Sequence, residues 1–356
     1  MTEQVDIADI AHACHIAEHC GPSERPRWIA PARRPLDARS RNPLLDWKTM
    51  AGVVVRRYRL RDVVLDAGTM MLLKDGAIVR QTEYHRSADE LASLRVDPAR
   101  LVRLDGGPPV LMAGDAWSTN HYHWLNHGLP AIAAGLDAAG PNGLRLAMHQ
   151  PTAVQERSLH LLGLDAAPRL VLDGTLQYAI HEVEFCTYST GIADFAVSVF
   201  IQKLADRIGA VVPDDGPAPA AIYLTRAGDR HRRISNEADL VRGLIGLQNE
   251  LGLAFDIVDC GRLTLDQQVA RLRAARLVIA PHGAALANVA FCRPDAQIYE
   301  LLPAHYANTC MLPLGIRARL AWWSDSFASS GATEFWHDWT VDVAAVLQRT
   351  REIAAR

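Results

Sequence analysis

Arg276-Leu277-Val278-Ile279-Ala280-Pro281-His282-Gly283-Ala284-Ala285-Leu286-Ala287-Asn288 is an apolar run that ends in Pro-His-Gly, followed by small residues able to begin a helix. A buried parallel strand that delivers its carboxyl end to a ligand crevice reads this way. Gly283 and the small residues after it let main-chain N–H groups approach an anion, and a helix N-terminus favours negative charge. His282 stands at the strand edge as a donor for phosphate or carboxylate. The functional site is expected at this corner.

The surrounding sequence has the same alternating character. Ile222–Thr225 predicts a strand, 235–251 a helix, Ala254–Val258 a strand and 264–275 a helix opened by the capping box Thr264-Leu265-Asp266-Gln267. The strand at 277–280 is followed by a short helix at 284–290, a strand at Gln297–Leu301 and a closing amphipathic helix at 340–354. Between Leu224 and that first helix lies Tyr223-Leu224-Thr225-Arg226-Ala227-Gly228-Asp229-Arg230-His231-Arg232-Arg233-Ile234-Ser235-Asn236-Glu237, with four arginines in eight residues. A planar guanidinium donates two parallel hydrogen bonds to phosphate, so a cluster at a strand end predicts an anionic partner. A solvated basic loop is the plainer alternative.

Upstream, Val211-Val212-Pro213-Asp214-Asp215-Gly216-Pro217-Ala218-Pro219 reads as a linker. Before it, short apolar runs (Pro109–Ala113, Leu144–Met148, Arg169–Leu172, His181–Cys186) alternate with helical stretches at 120–138, 151–162 and 193–210, which predicts α/β structure with a mostly parallel sheet. Residues 51–83 are strand-like, with the hairpin signal Lys74-Asp75-Gly76. The expected organisation is an irregular lead-in (1–50), a first lobe (51–212), a second, anion-binding lobe (213–330) and a closing helix (331–356). Two α/β lobes predict a cleft between them.

Asn120-His121-Tyr122-His123-Trp124-Leu125-Asn126-His127-Gly128-Leu129-Pro130 concentrates three histidines. Thr119 or Asn120 can cap a helix here. On it Asn120, His123 and His127 share one face, which suits acid/base or substrate-positioning work, whereas His121 points the other way. A metal site from His121, His123 and His127 would need an extended segment instead. Core packing beside Trp124, Leu125 and Leu129 is the bland reading for any one of them.

The chain has 356 residues and a net charge of −3, which excludes nucleic-acid binding through overall charge. Its six cysteines form no CxxC pair, and Cys14 and Cys20 beside His12, His15 and His19 match no zinc spacing. The first thirty residues lack a basic-then-apolar leader, and no apolar stretch reaches spanning length. A cytoplasmic protein with reduced thiols is expected. There is no GxxxxGK[ST], no GxGxxG and no Asp-x-Asp. A leaving diphosphate without a metal must then be met by arginine, histidine and helix-terminal N–H groups, which this chain supplies. Trp322, Trp323, Trp336 and Trp339 could stack on sugar or pack internally.

Three segments resemble glycosyltransferase family 61. NHYHWLNHGLP (120–130) is similar to its N-x-Y-H-W-L/F-x-D-x-L-P element, and Tyr223–Glu237 to its Y-[IL]-[ST]-R…R-R-x-x-N-E element. HGAALANVAFCRPDAQIYELLP (282–303) resembles H-G-A-G-L-x-N-x-x-F-x-x-P-G-x-x-x-x-E-[LI]-x-P. The resemblance implies a GT-B-like α/β fold of two Rossmann-like lobes with a strand-rich N-terminal extension. It implies an inverting, metal-independent transferase that moves a sugar from a nucleotide sugar, usually UDP-linked, to a glycan or lipid-linked acceptor in surface polysaccharide synthesis. No cofactor and no resident metal are implied, and peripheral membrane association is compatible with such an acceptor. Arg226, Arg232 and Arg233 fall on the basic positions for the diphosphate. His282, Gly283 and Asn288 line the same pocket, and Glu300 takes the acidic position where it can accept from ribose hydroxyls or act structurally. Asn120 and Trp124 lie on the acceptor side, and His127 or His123 removes the acceptor proton. Ala285 and Asp295 stand where glycine is usual, and His127 where the family commonly has Asp. That last change keeps alive a non-catalytic nucleotide-sugar or glycan-binding protein, and a histidine-metal hydrolase is a further rival.

Overall fold

The computed structural model describes residues 3–24, 28–30, 49–50, 52–104, 106–140, 142–191, 197–213, 221–306, 308, 310–328 and 334–356. Of the linker read at 211–219, residues 214–219 lie outside these. In chain order the first strands are β1 (Gln4–Val5), β2 (Ala13–Cys20), β3 (Ser23–Glu24), β4 (Thr49–Met50), β5 (Val53–Asp66), β6 (Met71–Lys74), β7 (Ala77–Val79) and β8 (Leu101–Arg103). They are followed by β9 (Val110–Met112), β10 (Arg145–His149), β11 (Arg169–Leu172) and β12 (Gln177–Cys186). The remainder are β13 (Ala221–Leu224), β14 (Phe255–Val258), β15 (Leu277–Pro281), β16 (Gln297–Pro303) and β17 (Ala321–Phe327). The chain is α/β and divides into two compact units, 1–22 with 51–204, and 23–50 with 205–356.

The first unit holds one mixed sheet in the order β1-β7-β6-β5-β12-β9-β10-β11, with β2 added to β5 and β8 to β12. Strands β12, β9, β10 and β11 are mutually parallel, as the alternation predicts, but β12 also pairs antiparallel with β5 along most of its length. The hairpin-rich segment and the α/β segment therefore share a single sheet. Its core gathers Tyr58, Leu60, Leu65, Val110, Val183 and Phe185. Asp75 and Gly76 turn between β6 and β7 at φ 50° and 86°, the left-handed pair a two-residue hairpin needs. Within the segment read as an irregular lead-in, Ala13–Cys20 forms a strand paired antiparallel with β5. Its apolar and polar residues do not alternate and its partner lies some forty residues away, so local periodicity carried no sign of it.

The second unit holds an all-parallel sheet, β14-β13-β15-β16-β17, the doubly wound order 2-1-3-4-5. Every residue of β15 is buried, because the strand is interior and flanked by β13 and β16. This explains why its sequence is continuously apolar instead of alternating. Tyr223, Ile279, Tyr299, Leu301 and Trp323 knit these strands into one core with the closing helix Val343–Ala354. The Thr264 capping box is present with both of its reciprocal bonds. In such a sheet the crevice opens where the chain reverses its winding, between the carboxyl ends of β13 and β15.

Candidate functional site

Two constellations carry chemistry, one in each unit. In the second unit, β13 ends at Leu224 and the chain enters the arginine-rich loop. Buried Glu237, from the start of the following helix, accepts bonds from Tyr223 Oη (2.7 Å), Thr225 Oγ1 (2.9 Å) and the Arg226 N–H (3.1 Å). This carboxylate fixes the path of the loop. Arg226 Nη2 donates to the His231 carbonyl at 2.9 Å and pairs with Asp229 at 2.8 Å. Burial pulls the Arg226 guanidinium down from its ordinary value and Arg232 adds to this, while Asp229 and Glu237 offset part of it. It stays charged, since arginine does not deprotonate in proteins.

Across the switch point, β15 delivers His282 and Gly283. The Arg226 guanidinium lies against Gly283, so closely that a Cβ there would meet Nη1 at 1.7 Å. Glycine is required by this approach and not by its backbone, which is extended at φ 176°. His282 is buried, and its Nδ1 faces Glu300 Oε1 on neighbouring β16 at 2.8 Å. A carboxylate at Nδ1 holds the proton there and directs Nε2 outward. Glu300 is 1 % exposed, so in this structure it orients the histidine. Tyr306 packs edge-on to His282 with ring centroids 5.7 Å apart, and the Arg232 guanidinium lies 4.8 Å over the same tyrosine ring.

Arg226, Arg232, His282, Gly283 and Glu300 thus share one neighbourhood at the carboxyl ends of β13, β15 and β16. Two expected members face elsewhere. Arg233 Nε and Nη2 both donate to Asp338 Oδ2, at 2.9 and 2.7 Å. Asn288 is fully buried and donates to Gln268 Oε1 at 2.8 Å. The helix after Gly283, Ala284–Phe291, is 3-10 instead of α and accepts Ala285 without difficulty. Asp295 sits at φ 68°, a left-handed position that explains why the family pattern has glycine there.

In the first unit the histidine segment begins as expected, with Asn120 capping through its side chain to the Tyr122 N–H at 2.9 Å. The helix then widens into a π turn over Trp124–Gly128, closed by Leu129 N–H to the Trp124 carbonyl, before resuming as Leu129–Ala139. Such turns insert one residue into an α-helix and recur at functional sites. Here His123 and His127 lie with ring centroids 4.9 Å apart. Both present Nδ1 to the same oxygen, Asp115 Oδ2, at 3.0 and 2.7 Å. Burial works to raise the Asp115 carboxyl, but the two histidines outweigh it and hold the group well below the usual carboxylate range. With both Nδ1 atoms so engaged, each Nε2 is the basic nitrogen.

His127 is fully buried, whereas the His123 side chain retains 17 % exposure. Tyr84 packs edge-on against both rings at 5.7 and 5.5 Å. One ligand atom each from Asp115, His123 and His127 lies within 4.8 Å of the others, a set that could also hold a metal ion. His121 is not part of that set. Trp124 is a core residue, 1 % exposed, with Nε1 donating to Ser158 Oγ at 2.7 Å.

Asp115 and Glu237 were missed by sequence reasoning. Asp115 follows a predicted strand by two residues, the place where an α/β fold displays functional groups, so position alone could have flagged it. Glu237 stood at the end of the quoted segment with no role assigned to it.

The family model described as Glycosyltransferase 61 matches residues 121–299, half of the chain. No curated protein matches. Among solved structures, a Streptococcus pneumonia TIGR4 flavodoxin aligns at 12 % identity over 38 % of this chain and 96 % of that one, with a TM-score of 0.24, too slight a likeness to argue from.

Proposed function

The chain belongs to glycosyltransferase family 61, and from that premise we propose an inverting transferase that moves a sugar from a UDP-sugar to a glycan or lipid-linked acceptor without a resident metal. The observation that carries the reading is the corner where Arg226 lies against Gly283 beside the Glu300-backed His282. Arg226, Arg232 and His282 would take the negative charge that develops on the departing diphosphate. In the first unit His123, oriented by Asp115, would accept the acceptor hydroxyl proton at Nε2 as its oxygen attacks the anomeric carbon and the bond to the diphosphate breaks. His127, fully buried, would hold the same Asp115 oxygen in place. Such a division of labour would suit the two-lobed GT-B arrangement that the resemblance implies, and a cytoplasmic setting belongs to the same proposal. Among the described residues no helix is long and apolar enough to cross a membrane.

The convergence of Asp115, His123 and His127 favours one second reading, a metal-dependent hydrolase. A thermal-shift and turnover screen with UDP and UDP-sugars, with and without chelator, separates them. The transferase reading expects UDP to raise the melting temperature regardless of chelator. It also expects His123→Ala to keep UDP affinity while losing about 10²- to 10⁴-fold in turnover. Loss of activity on chelation, restored by a divalent cation, would transfer the case to the hydrolase.

A further inference from the structure

Four tryptophans cluster near the end of the chain, and the fold treats them differently. Trp322, Trp323 and Trp339 are 1, 5 and 3 % exposed and pack internally. Trp336 is 42 % exposed, beside Phe335 at 52 %. Two large aromatic rings half open to water are costly unless something covers them.

Their position indicates what does. In sheet order, the loop after β13 supplies Arg226, the loop after β15 His282, the loop after β16 Tyr306, and the segment after β17 Phe335 and Trp336. The rings form a continuous series: His282 to Tyr306 at 5.7 Å, Tyr306 to Phe335 at 5.9 Å, and Phe335 to Trp336 at 4.8 Å. One end of the series is the anion corner, and the other is open to solvent.

The open end is also held in place. Arg232 N–H donates to the Trp336 carbonyl at 3.1 Å, and Trp339 Nε1 to the Arg232 carbonyl at 3.1 Å. Trp339 N–H donates to the Arg233 carbonyl at 3.0 Å, and Ser235 N–H to the Trp339 carbonyl at 2.7 Å. Asp338 adds its ion pair with Arg233. These bonds zip the aromatic segment onto the arginine loop, so the platform and the anion corner form one preorganised surface.

Resting on the donor-binding reading above, we propose that the exposed Trp336 ring is the stacking face for the donor's nucleobase, braced edge-to-face by Phe335 at 78°, with Tyr306 spanning the interval between base and diphosphate. A flat π face accepts a base without hydrogen-bond readout, and such stacking is worth about 1–3 kcal/mol per base, or about 5- to 150-fold in affinity.

The test titrates the full chain with UDP, ADP, GDP and inorganic pyrophosphate, comparing wild type with Phe335→Ala, Trp336→Ala, Trp336→Phe and Arg226→Ala. Both truncated side chains are solvent-exposed, and unchanged melting temperatures verify the fold. The proposal expects the two alanine variants to lose about 5- to 150-fold for nucleotides and nothing for pyrophosphate. Trp336→Phe should retain most of the affinity, and Arg226→Ala should weaken nucleotides and pyrophosphate alike. Unchanged nucleotide affinity in both alanine variants overturns the platform, as does an effect confined to self-association or to binding of a methyl glycoside. If pyrophosphate binds wild type and no nucleotide binds more tightly, the platform alone falls. If neither nucleotides nor pyrophosphate bind, the donor-site reading falls with it.

Discussion

Replacing Gly283 by alanine adds one methyl, and the geometry specifies where the cost lands. The new carbon would sit 1.7 Å from Arg226 Nη1 and 2.9 Å from Cζ. The backbone at φ 176° accepts any residue, so no strain is added to the main chain. The guanidinium must therefore swing away, giving up its bond to the His231 carbonyl and its pairing with Asp229. In the proposed complex it also gives up its contact with the diphosphate. Hydrogen bonds to charged groups are worth about 1.5–3 kcal/mol, so losing one phosphate contact weakens UDP about 10- to 150-fold. Arg226→Ala removes the same contact. The two substitutions should then be non-additive, with the double variant binding UDP no more weakly than Arg226→Ala alone. Titration calorimetry at fixed ionic strength on wild type, both single variants and the double variant measures this coupling. Wild-type affinity in Gly283→Ala, or strict additivity across the cycle, would refute the idea that Gly283 acts by making room for Arg226.

Trp124→Ala empties a fully packed site and removes the bond to Ser158, which keeps its bond to the Gln155 carbonyl, so it should cost about 3–5 kcal/mol of stability in denaturant unfolding, leaving KM for an acceptor intact in whatever folded protein remains. A specific rise in KM without lost stability would return Trp124 to the acceptor side. For Asp338, burial works to raise the carboxyl, but the bonds and charge of Arg233, with His231, hold it below the usual carboxylate range. A carboxyl lowered by folding stabilises the protein above its unfolded value and loses that contribution as pH falls through its folded value. The melting-temperature advantage of wild type over Asp338→Asn should therefore be present at neutral pH and close in the acid range below the ordinary carboxylate value; a gap that stays constant would sink the ion-pair account.

What the sequence disclosed follows the range of the interactions involved. The interior strand Leu277–Pro281, the Thr264 capping box and the Asp75-Gly76 turn are set by neighbours a few residues away, and each was legible. The basic loop was legible as a cluster, because strand ends are where such groups collect. The partition of its arginines was not, since Asp338, which takes Arg233, is over a hundred residues distant. The same holds for β2 on β5 and for Glu300, whose role is decided by the register that places it beside His282. The four tryptophans looked equivalent in one dimension. Only the sheet distinguishes Trp322 and Trp323, which lie on β17, from Trp336 in the loop beyond it.

The widened turn at Trp124–Gly128 amounts to a helix carrying one surplus residue. Deleting Trp124, Leu125 or Asn126 would restore ordinary i→i−4 bonding while rotating the preceding helical turn by about 100°. His121, Tyr122 and His123 would turn together relative to Leu129–Ala139, and Asp115 would meet the two imidazoles at a changed angle. A regular helix also sets histidines three or four positions apart on one face, so what the surplus residue adjusts is the angle at which both imidazoles reach a single carboxylate oxygen.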